Sequence, residues 1–405
     1  MEMVWELIAA FWGTFFFALV FSSPRRFLFL SGLNGFIAWL VYLISFKFTR
    51  SIVASNFAAT SAVVIFSQVI SLKKRVPLDV FLVPGIFVLV PGSTIYKMLF
   101  SFVFHDDSGM FSSLKETLSI GFSIAMAIFI FVYVFEFFNK IRLSKIISRS
   151  DQPTGNLDEI FSVALLIGEL MLENGAETHK VEESMNTFFK FNGLSRSQSF
   201  VTPTGIFVTL LEKRNQPITE IIRISKRSLN LSHITQVMEE LNEYYDRKIN
   251  LDELVARLRQ VPYKCAYANH ELYIGAAFGV AFFSVIFKGG LYEFVNSALV
   301  GLFAQVIILK LSRFQFPDQL INLVISVFIA FLAALLIKIP VFASANINII
   351  IISAVMLLVP GVTIINSLRE IIAGDLVSGS ARGFEALIIA ASIASGVGAA
   401  LKIMF

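Results

Sequence analysis

The stretch LVPGSTIYKMLFSF, residues 89–102, recurs with substitutions as LVPGVTIINSLREI at residues 358–371. The two stretches are related by a constant offset of 269 positions, at which fourteen of the 38 positions from 89 to 126 are identical. Matching Leu and Ile residues are common in any apolar chain, but Pro, Gly, Asp and Glu matching in one register are not. We therefore interpret the match as an internal repeat.

The chain around this repeat is too apolar for a soluble protein. Of its 405 residues 56% are hydrophobic and 15% are charged, whereas a soluble domain has about 25% charged residues. The mean hydropathy is +0.76. The charged residues are concentrated in one central stretch, which predicts two membrane blocks at 1–139 and 265–405 and a polar domain at 140–264. An ordinary cytosolic enzyme is excluded.

Each block divides into five apolar segments that are long enough to cross a bilayer core of about 30 Å at 1.5 Å rise per residue. The segments are expected near residues 3–21, 27–46, 52–71, 79–104 and 113–138, and near 270–287, 291–309, 319–338, 346–373 and 384–403. The predicted fold class is therefore a polytopic α-helical membrane protein with five plus five transmembrane helices and an α/β domain between the halves.

The loops carry basic residues in a pattern that predicts the orientation under the positive-inside rule. In the first block Lys and Arg cluster on alternate loops, at 25–26, 73–75 and 140–149. We therefore place both termini outside a plasma (inner) membrane and residues 140–264 in the cytoplasm. The halves then enter the bilayer from opposite faces, and an inverted-topology repeat of this kind is typical of secondary transporters. Duplication kept only for packing is the alternative.

A Pro-Gly pair interrupts the fourth segment of each half near its middle. Pro91-Gly92 and Pro360-Gly361 each have about 12 residues, or roughly 18 Å of helix, on either side. Because proline removes a donor and glycine permits unusual backbone angles, the pairs predict broken helices. Each break creates a helix N-terminus at mid-depth whose free N–H groups suit a carboxylate. A plain proline kink is the alternative.

The residues around the two breaks form the predicted transport site. A threonine in the first turn of each second half-helix has a hydroxyl that serves either a ligand or its own backbone. An ionisable residue costs roughly 2.5–3.5 kcal/mol at the membrane centre, so lysine or arginine near a break indicates function. The predicted substrate site comprises Pro91, Gly92, Ser93, Thr94, Lys97, Pro360, Gly361, Thr363, Asn366 and Arg369.

Further charged residues flank the ends of the broken elements. Acids in these positions can carry protons or form gates that exchange partners between conformations. Placement at the membrane interface, with the charge in water, is the alternative. The predicted gating and proton-coupling set comprises Asp106, Glu116, Asp375, Arg382 and Glu385.

The central polar domain has the pattern of a mixed α/β fold. Helices are expected at 157–174, 178–191, 231–246 and 251–260, and strands at 199–211 and 218–225. Gly175 is expected to end a helix or form a sharp turn. Around it lies an acidic cluster that includes Glu169, Glu177 and Glu182, with His179 as its one histidine. Because this set lacks metal-ligand spacing, a solvated helical face or a polar contact between subunits is favoured over a metal or catalytic site. We expect the domain to regulate or gate the cytoplasmic mouth.

Several classes of function lack the residues they would need. A single cysteine, Cys265, permits no intrachain disulfide, and the four histidines are scattered. The sequence contains no phosphate-binding loop, no nucleophile–base pair and no basic stripe for nucleic acid. We therefore expect no enzymatic activity, no cofactor, no metal and no nucleic-acid partner. The expected partners are the lipid bilayer, a small-molecule substrate and, in a homo-oligomer, a second copy of the chain.

Three regions resemble the threonine/serine exporter (ThrE-like) family. GELMLENGAETHKVEESMNTF at 168–188, with VTPTGIFVTL at 201–210, is similar to its cytoplasmic region. GDLVSGSARGFEALIIA at 374–390 is similar to the end of its larger membrane half, and LVPGSTIY at 89–96 to its smaller five-helix half. Fused members usually begin with the cytoplasmic domain and larger half, whereas here the smaller half leads.

The resemblance implies export of small hydroxy amino acids, driven by the proton gradient or the membrane potential. Some two-gene relatives are linked to dicarboxylate export, which leaves the substrate open. The prediction is a secondary active exporter of threonine, serine or a similar carboxylate-bearing metabolite; a dicarboxylate (succinate-type) exporter and a passive channel are the alternatives. A membrane-anchored enzyme or sensor ranks below both. By position, the family-like residues are Gly168, Glu169, Gly175, Ala176, Glu177, Val181, Glu182, Pro91, Gly92, Pro360, Gly361, Gly374, Asp375, Gly379, Arg382 and Glu385.

Overall fold

A computed structural model describes residues 2–103, 106–147, 156–194, 196–211, 217–264, 266–314 and 316–404. Cys265 and His105 lie outside these residues. The first half is helical throughout, and its fourth predicted segment consists of two shorter helices. Its helices are α1 (Glu2–Val20), α2 (Leu28–Thr49), α3 (Ile52–Lys74), α4 (Asp79–Phe87), α5 (Gly92–Val103) and α6 (Asp107–Ile147).

The central domain packs helices on a three-stranded antiparallel sheet of order β1-β2-β3. It contains α7 (Leu157–Glu173), α8 (Thr178–Phe191), β1 (Ser197–Thr202), β2 (Gly205–Leu211), β3 (Pro217–Arg223), α9 (Leu231–Tyr245) and α10 (Leu251–Leu258). The single strand expected at 199–211 is wrong, because a tight turn at Pro203 and Thr204 divides it into a hairpin. The helices expected here are present within one or two residues of their predicted ends.

The second half repeats the first element by element. It contains α11 (Asn269–Ile286), α12 (Leu291–Leu311), α13 (Asp318–Leu336), α14 (Ile347–Val355), α15 (Gly361–Ile372) and α16 (Leu376–Met404). Eight of the described helices are long and apolar enough to cross a bilayer, and the count rises to nine if α4 and α5, bent by 53° at their break, form one span. The predicted fold class, a polytopic helical membrane protein with a small α/β domain between its halves, is confirmed.

The contacts between helices also repeat. In the first half α2 packs on α1 and α3, while α6 packs on α3 and α5; in the second half α12 packs on α11 and α13, while α16 packs on α13 and α15. Across the interface, α6 contacts α15 as α16 contacts α5, and α4 contacts α15 as α14 contacts α5. Such reciprocal contacts are expected of two repeats related by a pseudo-two-fold axis.

The halves are joined along α1 and α11 by aromatic side chains. Phe16 stacks on Phe278 with ring centroids 5.2 Å apart, and Phe17 meets Phe283 edge to face at 4.9 Å. Gly279 permits the close approach, since a Cβ there would lie 3.1 Å from the Phe17 ring. Aromatic pairs contribute about 0.5–1.5 kcal/mol each beyond the area they bury, so this seam is a firm contact between the halves.

The central domain docks on one end of the helical bundle. Arg26 and Arg75 lie on loops that the charge pattern places on the cytoplasmic side. They form ion pairs with Glu239 of α9 and with Asp246, which directly follows α9. Val83 of α4 belongs to the same buried apolar cluster as the domain's own core. Two loops that are predicted to lie on the same side of the membrane therefore both contact the central domain.

Candidate transport site

The two interrupted spans contact each other at their breaks. A Cβ added to Gly92 would lie 2.2 Å from Sδ of Met356, and one added to Gly361 would lie 2.2 Å from Cγ1 of Val90. Neither position has room for a side chain without a shift of its neighbour. Each glycine therefore allows the break of one half to pack on the break of the other, and the structure brings the two predicted Pro-Gly pairs together.

Both breaks have the same local geometry. The N–H of Gly92 donates to the carbonyl of Val90 (2.7 Å), and that of Gly361 to the carbonyl of Val359 (2.8 Å). These are three-residue turns centred on proline, and Pro360 has φ −77° and ψ 46°, close to an inverse γ-turn. The turns use the first N–H of each second half-helix. The N–H groups of residues 93–94 and 362–363 have no backbone acceptor in the described chain. They lie in the first turn of a helix, at the positive end of its dipole.

The two threonines of the predicted site differ in their surroundings. The buried Thr94 hydroxyl donates to the carbonyl of Pro91 (2.9 Å) and accepts from Thr117 (2.8 Å), so it stabilises the break. Thr363 is half-buried, and Ala386 occupies the position equivalent to Thr117. Binding of a ligand by either threonine stays a prediction.

The two cations of the predicted site also lie in different surroundings. Lys97 is exposed on α5, outside the crossing of the breaks, whereas Asn366, its repeat equivalent, is buried. Arg369 is only 11% exposed and forms an ion pair with Glu177. The structure thus directs Arg369 towards the central domain and Lys97 towards the surface. Joint binding of one dianion by this pair gains no support from their positions.

A polar cluster that we call the α8 junction lies where the start of α8 meets both membrane halves. On the side of the first half, Nζ of Lys180 lies 3.0 and 3.1 Å from the carboxylate oxygens of Asp79, the buried first residue of α4. On the side of the second half, Glu177 pairs with Arg369. One helical turn is therefore held to the first half by a cation and to the second by an anion.

The α8 junction continues along the ends of α15 and α16. The buried Thr178 hydroxyl lies 3.2 Å from Oε1 of Glu370 and 3.3 Å from Oδ2 of Asp375, close enough to donate to either. Nε of Arg382 lies 3.0 Å from the same Glu370 oxygen, and both side chains are 8% exposed. Sequence reasoning named Arg382 and Asp375 as gating residues but missed Lys180 and Thr178, because partners so distant in the chain leave no spacing signal.

The paired aspartates of the repeat are helix caps. Oδ1 of Asp106 accepts from the N–H of Gly109 (3.0 Å), and Oδ1 of Asp375 accepts from the N–H of Ser378 (3.1 Å). The two interactions coincide at the repeat offset and satisfy free N–H groups at the starts of α6 and α16. The hydrogen bond from Gly109 lowers the pKa of the Asp106 carboxyl. Roles of Asp106 and Asp375 in gating or proton coupling stay predictions.

The paired glutamates of the repeat have different partners. Glu385 is held by Arg227, which follows β3, with Nη2 3.0 Å from each carboxylate oxygen. This ion pair adds another link between the central domain and the second half. Glu116, its repeat equivalent, is half-buried on α6. Roles of Glu116 and Glu385 in proton coupling stay predictions.

The residues of the acidic cluster in the central domain have different surroundings and partners. Oε1 of Glu182 accepts from the N–H of Val201 (2.8 Å), and burial raises the pKa of the Glu182 carboxyl. Glu169 is half-buried. Burial raises the pKa of the Glu173 carboxyl, and the nearby charge of Glu169 raises it further. No group of three potential metal ligands occurs in the part of the chain that the structure describes. Gly175 has φ +88° at the end of α7, as its predicted turn requires.

Two family descriptions match the chain in separate parts. Residues 6–134 match "Threonine/Serine exporter, ThrE", and residues 162–404 match "Putative threonine/serine exporter". A probable succinate transporter subunit YjjP of Klebsiella aerogenes is 25% identical over 231 residues, which is 56% of this chain and 87% of that protein. The YjjP of Escherichia coli K12 is 23% identical over 240 residues, 58% of this chain and 91% of that protein. No solved structure is significantly similar. The chain belongs to the threonine/serine exporter family.

Proposed function

We propose that the protein is a secondary active exporter of threonine or serine whose substrate crosses the membrane between the two breaks. The observation that carries this proposal is the reciprocal contact of Gly92 with Met356 and of Gly361 with Val90. Equivalent broken elements from two repeats meet at one point, which is where transporters with inverted repeats bind substrate. Rocking of one half on the other would expose this point to alternate sides.

The substrate carboxylate would be held by the half-helix N-termini. The N–H groups of residues 93–94 and 362–363 are the donors left after the γ-turns are formed. Each set lies at the positive end of a helix dipole, so two half-helices offer complementary charge to one anionic group. This arrangement requires no cation at the crossing and accommodates the exposed position of Lys97.

The α8 junction would act as the cytoplasmic gate. Separation of α4 from α15 at this end requires loss of the Lys180–Asp79 pair or the Glu177–Arg369 pair, because one turn of α8 holds both. Coupling to the proton gradient or the membrane potential is part of the proposal. Glu370 is suited to exchange partners, since it is buried between Thr178 and Arg382.

A dicarboxylate exporter is the second candidate. It is favoured by the two relatives that are named as probable succinate transporter subunits, whose matches leave more than a third of this chain uncovered. We infer that the additional part, with its own family match at residues 6–134, supplies in one polypeptide a half that those subunits lack.

The test is transport by the purified full chain in liposomes. Vesicles loaded with radiolabelled serine, threonine or succinate are diluted into buffer that sets a pH gradient, a membrane potential or neither. We expect saturable, gradient-dependent efflux of serine and threonine that Pro91→Ala and Pro360→Ala reduce. Efflux that ignores the gradient and does not saturate would identify a channel. Efflux of succinate alone would establish the second candidate.

A further inference from the structure

A narrow apolar cavity lies beside the crossing of the breaks. Its walls are Ile95, Tyr96 and Phe100 of α5, Val355 and Val359 at the second break, and apolar residues of α16 between 390 and 398. The cavity measures about 10 Å³, room for about one water molecule. Since α5 belongs to one half and α14 and α16 to the other, movement between the halves changes the size of this cavity.

Tyr96 is the one residue with a polar side chain among those described as lining the cavity. The side chain is 6% exposed, and its Oη has no hydrogen-bond partner among the described residues. A buried polar group without a partner costs about 1–3 kcal/mol and calls for an explanation. The fold does not require a hydroxyl here, because the repeat has the fully buried Ile365 at the equivalent position. A ligand that enters the cavity would supply the missing partner.

We propose that this cavity is the subsite for the substrate side chain, in which Tyr96 Oη hydrogen-bonds a side-chain hydroxyl. The assignment rests on the proposed exporter function and extends it to substrate selection. Val359 forms a cavity wall, and its carbonyl accepts the Gly361 N–H in the turn at Pro360, so the subsite adjoins the half-helix N-termini that would hold the substrate carboxylate. The cavity widens as the halves move apart to admit substrate.

The residues that line the cavity determine which kind of substrate side chain it can bind. Apolar walls with one hydroxyl match a hydroxymethyl or hydroxyethyl group, whose carbon atoms contact the walls while its oxygen meets Tyr96. A second carboxylate would lose its hydration without gaining a cation, which is far more costly than burial of a hydroxyl. The subsite therefore selects hydroxy amino acids over dicarboxylates.

Tyr96→Phe tests the assignment because it removes one oxygen atom and nothing else. Tyr245→Phe in the central domain is the matched control, since the Tyr245 hydroxyl is also buried without a partner among the described residues. Efflux kinetics from liposomes are compared for threonine and for 2-aminobutyrate, which is threonine without its side-chain hydroxyl. We expect Tyr96→Phe to lower the transport efficiency for threonine about 5- to 100-fold, to leave 2-aminobutyrate unchanged and to unfold at or above the wild-type temperature, because it removes an unpartnered buried hydroxyl. Tyr245→Phe should alter neither substrate.

Each other outcome contradicts part of the reasoning. Equal loss for both substrates, or no loss for either, overturns recognition of the hydroxyl by Tyr96. A wild-type protein that moves neither amino acid overturns the exporter proposal and this subsite with it. If Tyr96→Phe is poorly folded, Tyr96→Ile places the residue of the other repeat at this position. Thermal stabilisation of the purified variant by threonine but not by 2-aminobutyrate would then overturn the assignment.

Discussion

Gly361→Ala is the sharpest test of the crossing between the two breaks. The new Cβ would lie 2.2 Å from Cγ1, 3.2 Å from Cβ and 3.3 Å from Cγ2 of Val90. Carbon atoms pack at about 3.5–4.0 Å, so the breaks must separate by roughly 1 Å, or Val90 must leave a rotamer that its branched side chain holds firmly. Overpacking of this kind costs about 1–3 kcal/mol.

A compensating change makes the prediction specific to this contact. Val90→Ala removes Cγ1 and Cγ2 and leaves one contact of 3.2 Å, which small shifts can relieve. By itself it costs roughly 1.6 kcal/mol for two lost methyl groups. We therefore expect Val90→Ala with Gly361→Ala to be about 1–3 kcal/mol more stable than the sum of the two single changes.

The measurements are the free energy of unfolding of the purified protein and the initial rate of efflux from liposomes. Gly121→Ala is the matched control, because its Cβ would meet only the flexible end of Leu368 at 3.1 Å and the repeat already has Ala390 there. We expect Gly361→Ala to lose stability and transport, and the double variant to regain transport and to be about as stable as Val90→Ala alone. If Gly361→Ala behaves like Gly121→Ala, or if the two effects simply add, the contact between the breaks is not as described.

Three further predictions concern the central domain and its junction with the membrane halves. Lys180→Met leaves the Asp79 carboxylate, 7% exposed, without its cation and should lower the free energy of unfolding by about 1–3 kcal/mol, much of which Asp79→Asn restores in the double variant. Denaturant titration measures both variants, and additive losses would contradict the ion pair. Glu182→Gln keeps an acceptor for the Val201 N–H and removes a carboxylate whose pKa is raised by burial, so it should raise the free energy of unfolding at neutral pH. This gain in stability should shrink as the pH falls through the raised pKa towards 4.5, and a gain independent of pH would refute the reasoning. Asp375→Ala removes the cap of α16 and should lower the free energy of unfolding by about 0.5–2 kcal/mol, whereas Asp375→Asn should lower it less because asparagine also caps helices. Equal melting temperatures for the two variants would argue against the cap.

Local signals in the sequence were sufficient for the positions of the helices and of both breaks. Each Pro-Gly pair ends a helix by removing a donor, so α5 and α15 both begin at the glycine, 269 residues apart. The three-residue spacing from Asp106 to Gly109 and from Asp375 to Ser378 is also a local signal, typical of helix caps, and the structure shows a capping hydrogen bond at both positions.

Contacts between distant parts of the chain were beyond the reach of these signals. Lys180 and Asp79 are 101 residues apart, and no periodicity or spacing connects them. Tyr96 stands in the motif that defines the repeat, yet its unpartnered hydroxyl becomes visible only when α14 and α16 enclose it. Packing between the two repeats therefore decides which residues of the repeated motif have a hydrogen-bond or ion-pair partner.

If the halves separate during transport, as we propose, the attachment of α8 to both of them couples the central domain to that movement. Any molecule that binds the domain better when the Lys180–Asp79 contact is broken shifts the halves towards the separated arrangement, and substrate must change the affinity for that molecule by the same factor. A tenfold shift corresponds to about 1.4 kcal/mol, comparable to the loss of one hydrogen bond such as that of Thr178. Under the proposed function, small changes on the surface of the central domain are thereby sufficient to shift the equilibrium between the joined and separated arrangements of the halves.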